Sequence, residues 1–314
     1  MKARWCFSPL CALLLAVALL AGGCGDAAPA EREPGEQTVK GEITIGSKSL
    51  TEQYLLMKMT ALLLKEAGYR VNEMVFLDSP SIRQAMESQV VDLYWEYTST
   101  ARLYYHKQEP IFDPDEAFTR VAETDMRQGI VWLARSDFNS SWALLMRKSM
   151  SERTGIATIS DLAEYMRNVD PDVRFATNDE YLEREDGPSR LQQVYGMQLT
   201  EERIIAVESD LLTQAVRDGR VDVAVGMASD PRIETHQLII LEDDKQLFPP
   251  YHAAPVVLAR TLREHAEVAD IVQRLIPFIS DENMRNIMVQ VDILQKDITN
   301  TARNFLVEHG LLKS

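Results

Sequence analysis

Polar and apolar side chains alternate through Glu42-Ile43-Thr44-Ile45-Gly46 and stop at a glycine, the period of a half-buried strand. Ser49 or Thr51 can cap the helix that follows. In it Tyr54, Leu55, Met59, Leu62 and Leu63 recur at helical spacing until Gly68. The rhythm then repeats, with a strand over Arg70–Leu77, a helix over Ser81–Ser88 and a strand over Val90–Glu96. Further strands are expected near Val131–Ala134, Trp142–Met146, Arg174–Ala176, Arg203–Ala206 and Val221–Val225, with helices at Ile159–Arg167, Pro188–Tyr195 and Leu211–Asp218. From Leu262 onward the pattern is helical, broken at Pro277 and stopped at Gly310. Strands alternating with helices predict an α/β fold of largely parallel sheets covered on both faces. The chain has 314 residues, about twice the length of a typical domain, so two lobes or one large α/β unit is expected.

One stretch repeats at a constant offset of 130 residues. Asp78-Ser79, Gln84-Ala85, Val91-Asp92 and Tyr97 are echoed by Glu208-Ser209, Gln214-Ala215, Val221-Asp222 and Met227. Each copy reads as a helix, a turn, a strand and a residue at the strand's C-terminal end. Open α/β sheets bind ligands in the crevice at those ends. The repeat therefore predicts two similar lobes that point Tyr97 and Met227 toward a shared cleft.

The N-terminus carries an address. Lys2 and Arg4 precede an apolar run from Trp5 to Leu20 that is broken only by Ser8 and Pro9. That run is short for a spanning helix of about 20 residues and suits a signal peptide. It closes with Leu20-Ala21-Gly22-Gly23-Cys24, small residues before a cysteine that resemble a bacterial lipobox, in which Cys24 is lipidated. The alternative is an ordinary secretory leader with an incidental cysteine. The Ala-, Pro-, Glu- and Gly-rich stretch that follows, up to Gly41, reads as a flexible tether with a reach of roughly 20–25 Å. The body is thus expected to work outside the cytoplasm, close to a membrane. The three cysteines are Cys6, Cys11 and Cys24, so the body holds no disulfide and no thiolate metal site. The formal charge is −15, and losing Lys2 and Arg4 with the leader makes it more negative still. Such a surface repels phosphate backbones and argues against nucleic acid as a partner.

Several separated segments carry a family resemblance. Ile45-Gly46-Ser47-Lys48-Ser49-Leu50-Thr51-Glu52-Gln53-Tyr54 resembles the opening of substrate-binding proteins of glycine betaine, carnitine and choline ABC importers. Asp92-Leu93-Tyr94-Trp95-Glu96-Tyr97-Thr98-Ser99-Thr100 and Phe138-Asn139-Ser140-Ser141-Trp142-Ala143-Leu144 are similar to two further segments of that family. So are Glu183 to Gly187, Ser229 to Ile233 and Leu247 to Tyr251. The resemblance runs from about Ile43 to Leu312. It implies a two-lobed type II periplasmic-binding-protein fold with a ligand cleft between the lobes, closing on a quaternary ammonium head. It puts the family's cage on Tyr97, Trp142, Met227 and Tyr251, and the polar contacts on Lys48, Thr100 and Arg184. Gln53 and Ser140 are further candidates. Lobe one is expected at about 42–138 plus 246–314 and lobe two at about 139–245.

The chemistry agrees with that assignment. A trimethylammonium group has no N–H and cannot be gripped by hydrogen bonds, whereas aromatic faces attract it through their quadrupoles. The family usually has Tyr at the positions of Trp142 and Met227. Trp is the strongest cation–π face, and Met offers a polarisable thioether without one. This leaves the identity of the cation open. Lys48 and Arg184 suit a carboxylate end. The expected function is a lipid-anchored, monomeric receptor that hands its solute to the permease of an ABC importer, without cofactor or metal.

Rival functions have weaker signals. An extracellular enzyme lacks a G-x-S-x-G elbow, an H-E-x-x-H motif and a glycine-rich phosphate loop, and the five histidines share no ligand spacing. A sensory or adhesion lipoprotein on the same fold stays open. So does a binding protein for another cation or zwitterion, such as a betaine-bearing thione or a basic amino acid.

Overall fold

The computed structural model describes residues 39–197 and 199–313. The expected signal peptide, Cys24 and the expected tether up to residue 38 lie outside the described residues. Lys40 and Gly41, expected within the tether, are instead bonded to the fold. The Lys40 amide donates to the Gly68 carbonyl at 3.0 Å, and its ammonium pairs with Glu267 at 2.8 Å.

Among the described residues, ten strands form two five-stranded sheets. The first contains β1 (Glu42–Lys48), β2 (Arg70–Phe76), β3 (Leu93–Tyr97) and β4 (Ile130–Trp132). The second contains β5 (Trp142–Arg147), β6 (Phe175–Thr177), β7 (Ile204–Ala206), β8 (Val223–Met227) and β9 (Leu238–Ile240). The chain then returns to the first with β10 (Ala253–Leu258). The orders are β2-β1-β3-β10-β4 and β7-β6-β8-β5-β9. Each sheet is parallel apart from one strand, β10 or β5, which runs against both neighbours. Those two strands enter from the other sheet, so the crossings set their direction.

Both sheets are covered on both faces, as a nearly parallel sheet requires. Ile43, Ile45, Leu93 and Val257 pack under Met57, Ala61 and Leu64 of α1 (Thr51–Glu66). Tyr94, Ala254 and Val256 face Ile82 and Met86 of α2 (Ser79–Glu87) and Val121 of α3 (Pro114–Met126). In the second sheet Leu144, Phe175, Val223 and Val225 meet Ile159 and Leu162, while Leu145, Ala176 and Ala224 meet Leu212 and Val216.

The repeat is real at the level of single hydrogen bonds. Asp92 donates its amide to Thr44 O at 2.8 Å and accepts the Thr44 amide on its carboxylate at 2.9 Å. Asp222 does the same with Arg174, at 2.9 and 3.0 Å. The turn before each strand needs a left-handed residue. It is Gln89 (φ 60°) in one copy and Gly219 (φ 71°) in the other, so only the first carries a side chain where glycine is favoured.

Caps differ in part from expectation. Asp78 caps α2 through the Ser81 amide at 2.8 Å, with Pro80 in the first turn. Neither Ser49 nor Thr51 caps α1. Leu50 holds the cap position without a side-chain bond, and Thr51 donates instead to Asp292 at 2.7 Å. Helix α3 and strand β10 are absent from the periodicity reading. In β10 the obscuring residue is Pro255, which sits one residue beyond the end of the β4 ladder and accepts the Leu133 amide at 3.0 Å.

A buried polar hub ties α2, α3 and β4 together. Asp125 accepts two bonds from Arg83 at 2.9 and 2.7 Å, one from Trp132 Nε1 at 2.7 Å, and meets His106 Nε2 at 2.8 Å. Burial alone would raise its pKa, but His106, Arg83 and Trp132 outweigh it and hold the carboxyl at about 2. The sign follows: the hub's stabilisation is present above the ordinary aspartate range and fades as pH falls toward 2. Asp125→Asn should lower unfolding free energy by about 3–5 kcal/mol at neutral pH. Urea denaturation should show that gap narrowing in acid; a gap independent of pH would argue against the hub.

Candidate functional site

The crossing segments decide where the site lies. The chain leaves the first sheet through Phe138-Asn139-Ser140 and returns through Tyr251-His252, and the two passages pair. Ser140 N donates to Tyr251 O at 3.1 Å, Tyr251 N to Asn139 Oδ1 at 2.7 Å and Ala253 N to Phe138 O at 3.0 Å. Trp142 therefore opens β5 opposite Met227, the last residue of β8. Ala253 opens β10 opposite Tyr97, the last residue of β3, and Tyr251 lies two residues earlier. Strand ends of both sheets thus deliver three rings and a thioether to one place.

That place is a cleft of about 620 Å³. Seven of the residues singled out from sequence line it: Lys48, Tyr97, Thr100, Ser140, Trp142, Met227 and Tyr251. The three rings are nearly buried, at 5%, 5% and 2% exposure for Tyr97, Trp142 and Tyr251. Their faces already meet positive charge. Lys48 Nζ lies 5.0 Å from the Tyr97 centroid, and the Arg184 guanidinium carbon is 5.8 Å from those of both Trp142 and Tyr251.

Gln53 and Arg184 do not line the cleft. The buried Gln53 amide faces the Tyr97 hydroxyl without reaching hydrogen-bonding geometry. Arg184 is consumed by its own neighbours. It grips Asp186 in bidentate fashion at 2.9 and 2.8 Å, reaches Glu180 at 3.1 Å and donates to the Tyr251 hydroxyl at 3.4 Å. Burial disfavours its charge, but Tyr251 and Asp186 prevail and keep it protonated. Tyr251 in turn donates to Asp186 at 2.5 Å. Lys48 is likewise neutralised, by the fully buried Glu96 at 2.5 Å. The expectation that these two cations meet a ligand carboxylate thus finds both already paired.

Further residues that the sequence does not single out sit beside these. Tyr104 stacks on Arg184 at 4.9 Å, and Glu180 accepts the Ser79 amide of α2 at 3.0 Å, tying the second sheet's side to the first. Glu52 accepts the hydroxyls of Tyr97 at 3.2 Å and Ser140 at 3.1 Å. Burial raises its pKa, against the hydrogen bonds it accepts, and the Asp230 charge adds to the rise. Glu52 also lines a smaller chamber of about 250 Å³ behind Trp142 and Met227. The mouth of the main cleft is acidic, with Asp78, Asp179, Glu183 and Glu208. Among the described residues no group of three or more His, Cys, Asp or Glu is placed to hold a metal ion, and no helix is long and apolar enough to cross a membrane.

Residues 41–308 match the family described as the substrate binding domain of the ABC-type glycine betaine transport system. The chain belongs to this family. It is 34% identical over 275 residues to the glycine-betaine-binding protein of Pseudomonas aeruginosa, covering 86% of this chain and 88% of the relative. It is 28% identical to the carnitine transport binding protein OpuCC of Listeria monocytogenes, with the same two coverages. A crystal structure described as a glycine betaine/carnitine/choline ABC transporter superposes with a TM-score of 0.68 at 24% identity, over 86% of this chain and 99% of that one. This last likeness establishes the fold, two α/β lobes of the periplasmic-binding type. As a member of the substrate-binding family, the chain is a transport receptor that works outside the cytoplasm with ABC permease subunits.

The ion-pair cluster around Arg184 bears on stability. Arg184→Gln leaves Asp186 and Glu180 without their partner, and should cost about 3 kcal/mol or more in chemical denaturation. A stability unchanged within error would show the cluster to be solvated and the guanidinium free for a ligand.

Proposed function

We propose that the cleft captures a quaternary ammonium solute, with Tyr97, Trp142 and Tyr251 facing the methylated head. Met227 closes the wall between them, Thr100 and Ser140 meet the solute's polar end, and Lys48 is held ready beside Tyr97. The observation that carries the reading is the convergence of three buried rings, from the ends of strands in both sheets, on one cleft. Each face contributes about 0.5–2 kcal/mol to a cation, so three supply on the order of 2–6 kcal/mol. A micromolar complex needs about 8 kcal/mol. Apolar burial and closure of the lobes supply the rest.

The charge balance favours one part of the solute class. Lys48 and Arg184 are paired with Glu96 and with Asp186 and Glu180, and the mouth is lined by carboxylates. A solute carboxylate has to displace a buried partner, whereas a hydroxyl at the same end does not. A net cation of the choline type therefore fits better than a zwitterion of the betaine type. The two lobes are assigned to 42–138 with 246–314 and to 139–245, hinged at the paired crossings. The receptor is monomeric, and Cys24, if lipidated, holds it close to the permease by a short tether. It returns its solute unchanged.

A thermal-shift screen over choline, glycine betaine and carnitine, followed by calorimetry, should rank choline first. Tyr97→Ala should weaken binding by about 1–3 kcal/mol, roughly tenfold to a hundredfold. No shift with any quaternary amine would remove the proposed solute class, and an unchanged Kd in Tyr97→Ala would remove Tyr97 from the site. In stopped-flow fluorescence of the tryptophans, the association rate for choline should fall as salt rises, because the acidic mouth steers a cation. A salt-independent rate would dismiss the steering.

A further inference from the structure

Glu52 is the second residue of α1 and is 4% exposed. One of its oxygens, Oε1, accepts both the Tyr97 hydroxyl and the Ser140 hydroxyl. Ser140 shares a further bond of 2.9 Å with Ser229, which lies just beyond β8. A single carboxyl oxygen thus links a ring at the end of the first sheet, a crossing segment and the second sheet. Among the described residues no Lys, Arg or His forms a salt bridge with it.

The groups around it come from every neighbouring element. Asp230, after β8, is held by Arg232 at 2.8 Å and adds negative potential. Glu96 of β3 is matched by Lys48 of β1. Asp292, in the C-terminal region, is held by Thr51 and lines the same small chamber as Glu52, and its pKa is also raised by burial. The N-terminus of α1 favours the anion, yet burial prevails at Glu52.

We propose that Glu52 is a proton-linked positioning residue: as the neutral acid it holds Tyr97 against Ser140 and Ser229, and closing the lobes on a solute takes up a proton there. The inference rests on the reading of Tyr97 as a cage ring. In an opened cleft the carboxyl regains water and titrates nearer its ordinary range. In the closed form desolvation keeps the proton on. The sign follows: Glu52's contribution to closure is complete below the ordinary glutamate range and is lost as pH rises through the raised value. A quaternary ammonium keeps its charge at every pH, so any slope in its affinity belongs to the protein.

The test is calorimetry with choline from about pH 4.5 to about pH 8.5, in pairs of buffers that differ in ionisation enthalpy. The wild type should bind more weakly as pH rises, by up to about tenfold per pH unit where the linkage is complete, with proton uptake read from the buffer dependence of the heat. Glu52→Gln, which imitates the acid, should lose both the slope and the uptake whatever its absolute affinity. Asp292→Asn should keep both. The proposal is overturned if Glu52→Gln keeps the wild-type slope, if Asp292→Asn loses it, or if the wild type binds choline without proton uptake. Absence of binding to any quaternary amine at every pH would instead overturn the reading of the cleft, and this inference with it.

Discussion

The site depends on the pairing of the two crossing segments. Phe138-Asn139-Ser140 and Tyr251-His252 pass in opposite directions and are joined by hydrogen bonds through Ser140 N, Tyr251 N and Ala253 N. The passing strands β5 and β10 must then run against their sheets, which fixes Trp142 beside Met227 and Tyr251 near Tyr97. Phe138, Ser140 and Tyr251 of these passages are themselves buried, so the joint is packed as well as hydrogen-bonded. Tyr97 and Trp142 are thus anchored on strand ends, and Tyr251 on the crossing itself.

The cleft can be aromatic because its cations are internally neutralised. A buried lysine or arginine without a partner costs several kcal/mol, so Lys48 requires Glu96, and Arg184 requires Asp186 and Glu180. Once paired, both still present positive charge to ring faces at 5–6 Å. The rings are therefore polarised and oriented before any solute arrives. Tyr251 is fixed further by its bond to Asp186 and Tyr97 by its bond to Glu52. Ordering these side chains in advance reduces what binding must spend on them.

Much of this was legible in the sequence, for reasons that can be named. The 130-residue offset marked Tyr97 and Met227 as equivalent strand ends because Asp92 and Asp222 serve the same backbone-capping purpose in both copies. Strand β10 stayed hidden because Pro255 breaks the strand signature, a cost that only the short length of β4 relieves. Helix α3 is mostly polar, with only Ala117, Val121 and Asp125 buried, so its apolar stripe is faint. The resemblance alone puts Arg184 at the ligand, and the charged run Glu183 to Asp186 does not say which acid folds back on the arginine. Glu52 is not legible in the sequence because an acid in the first turn of a helix ordinarily serves the helix dipole at the surface; only tertiary packing buries it.

Glu52 also bears on why the two small residues face it. The Ser140 hydroxyl can donate to Glu52 while remaining bonded to Ser229. A hydroxyl can donate or accept, so the pair tolerates either protonation state of the acid by rotating one proton. An amide has no such freedom, because its donor and acceptor atoms are fixed. The serine pair therefore lets the carboxyl change charge without leaving a buried partner unsatisfied, and the penalty of ionisation falls chiefly on desolvation. That is the condition under which a buried acid can respond to pH while the fold around it stays intact.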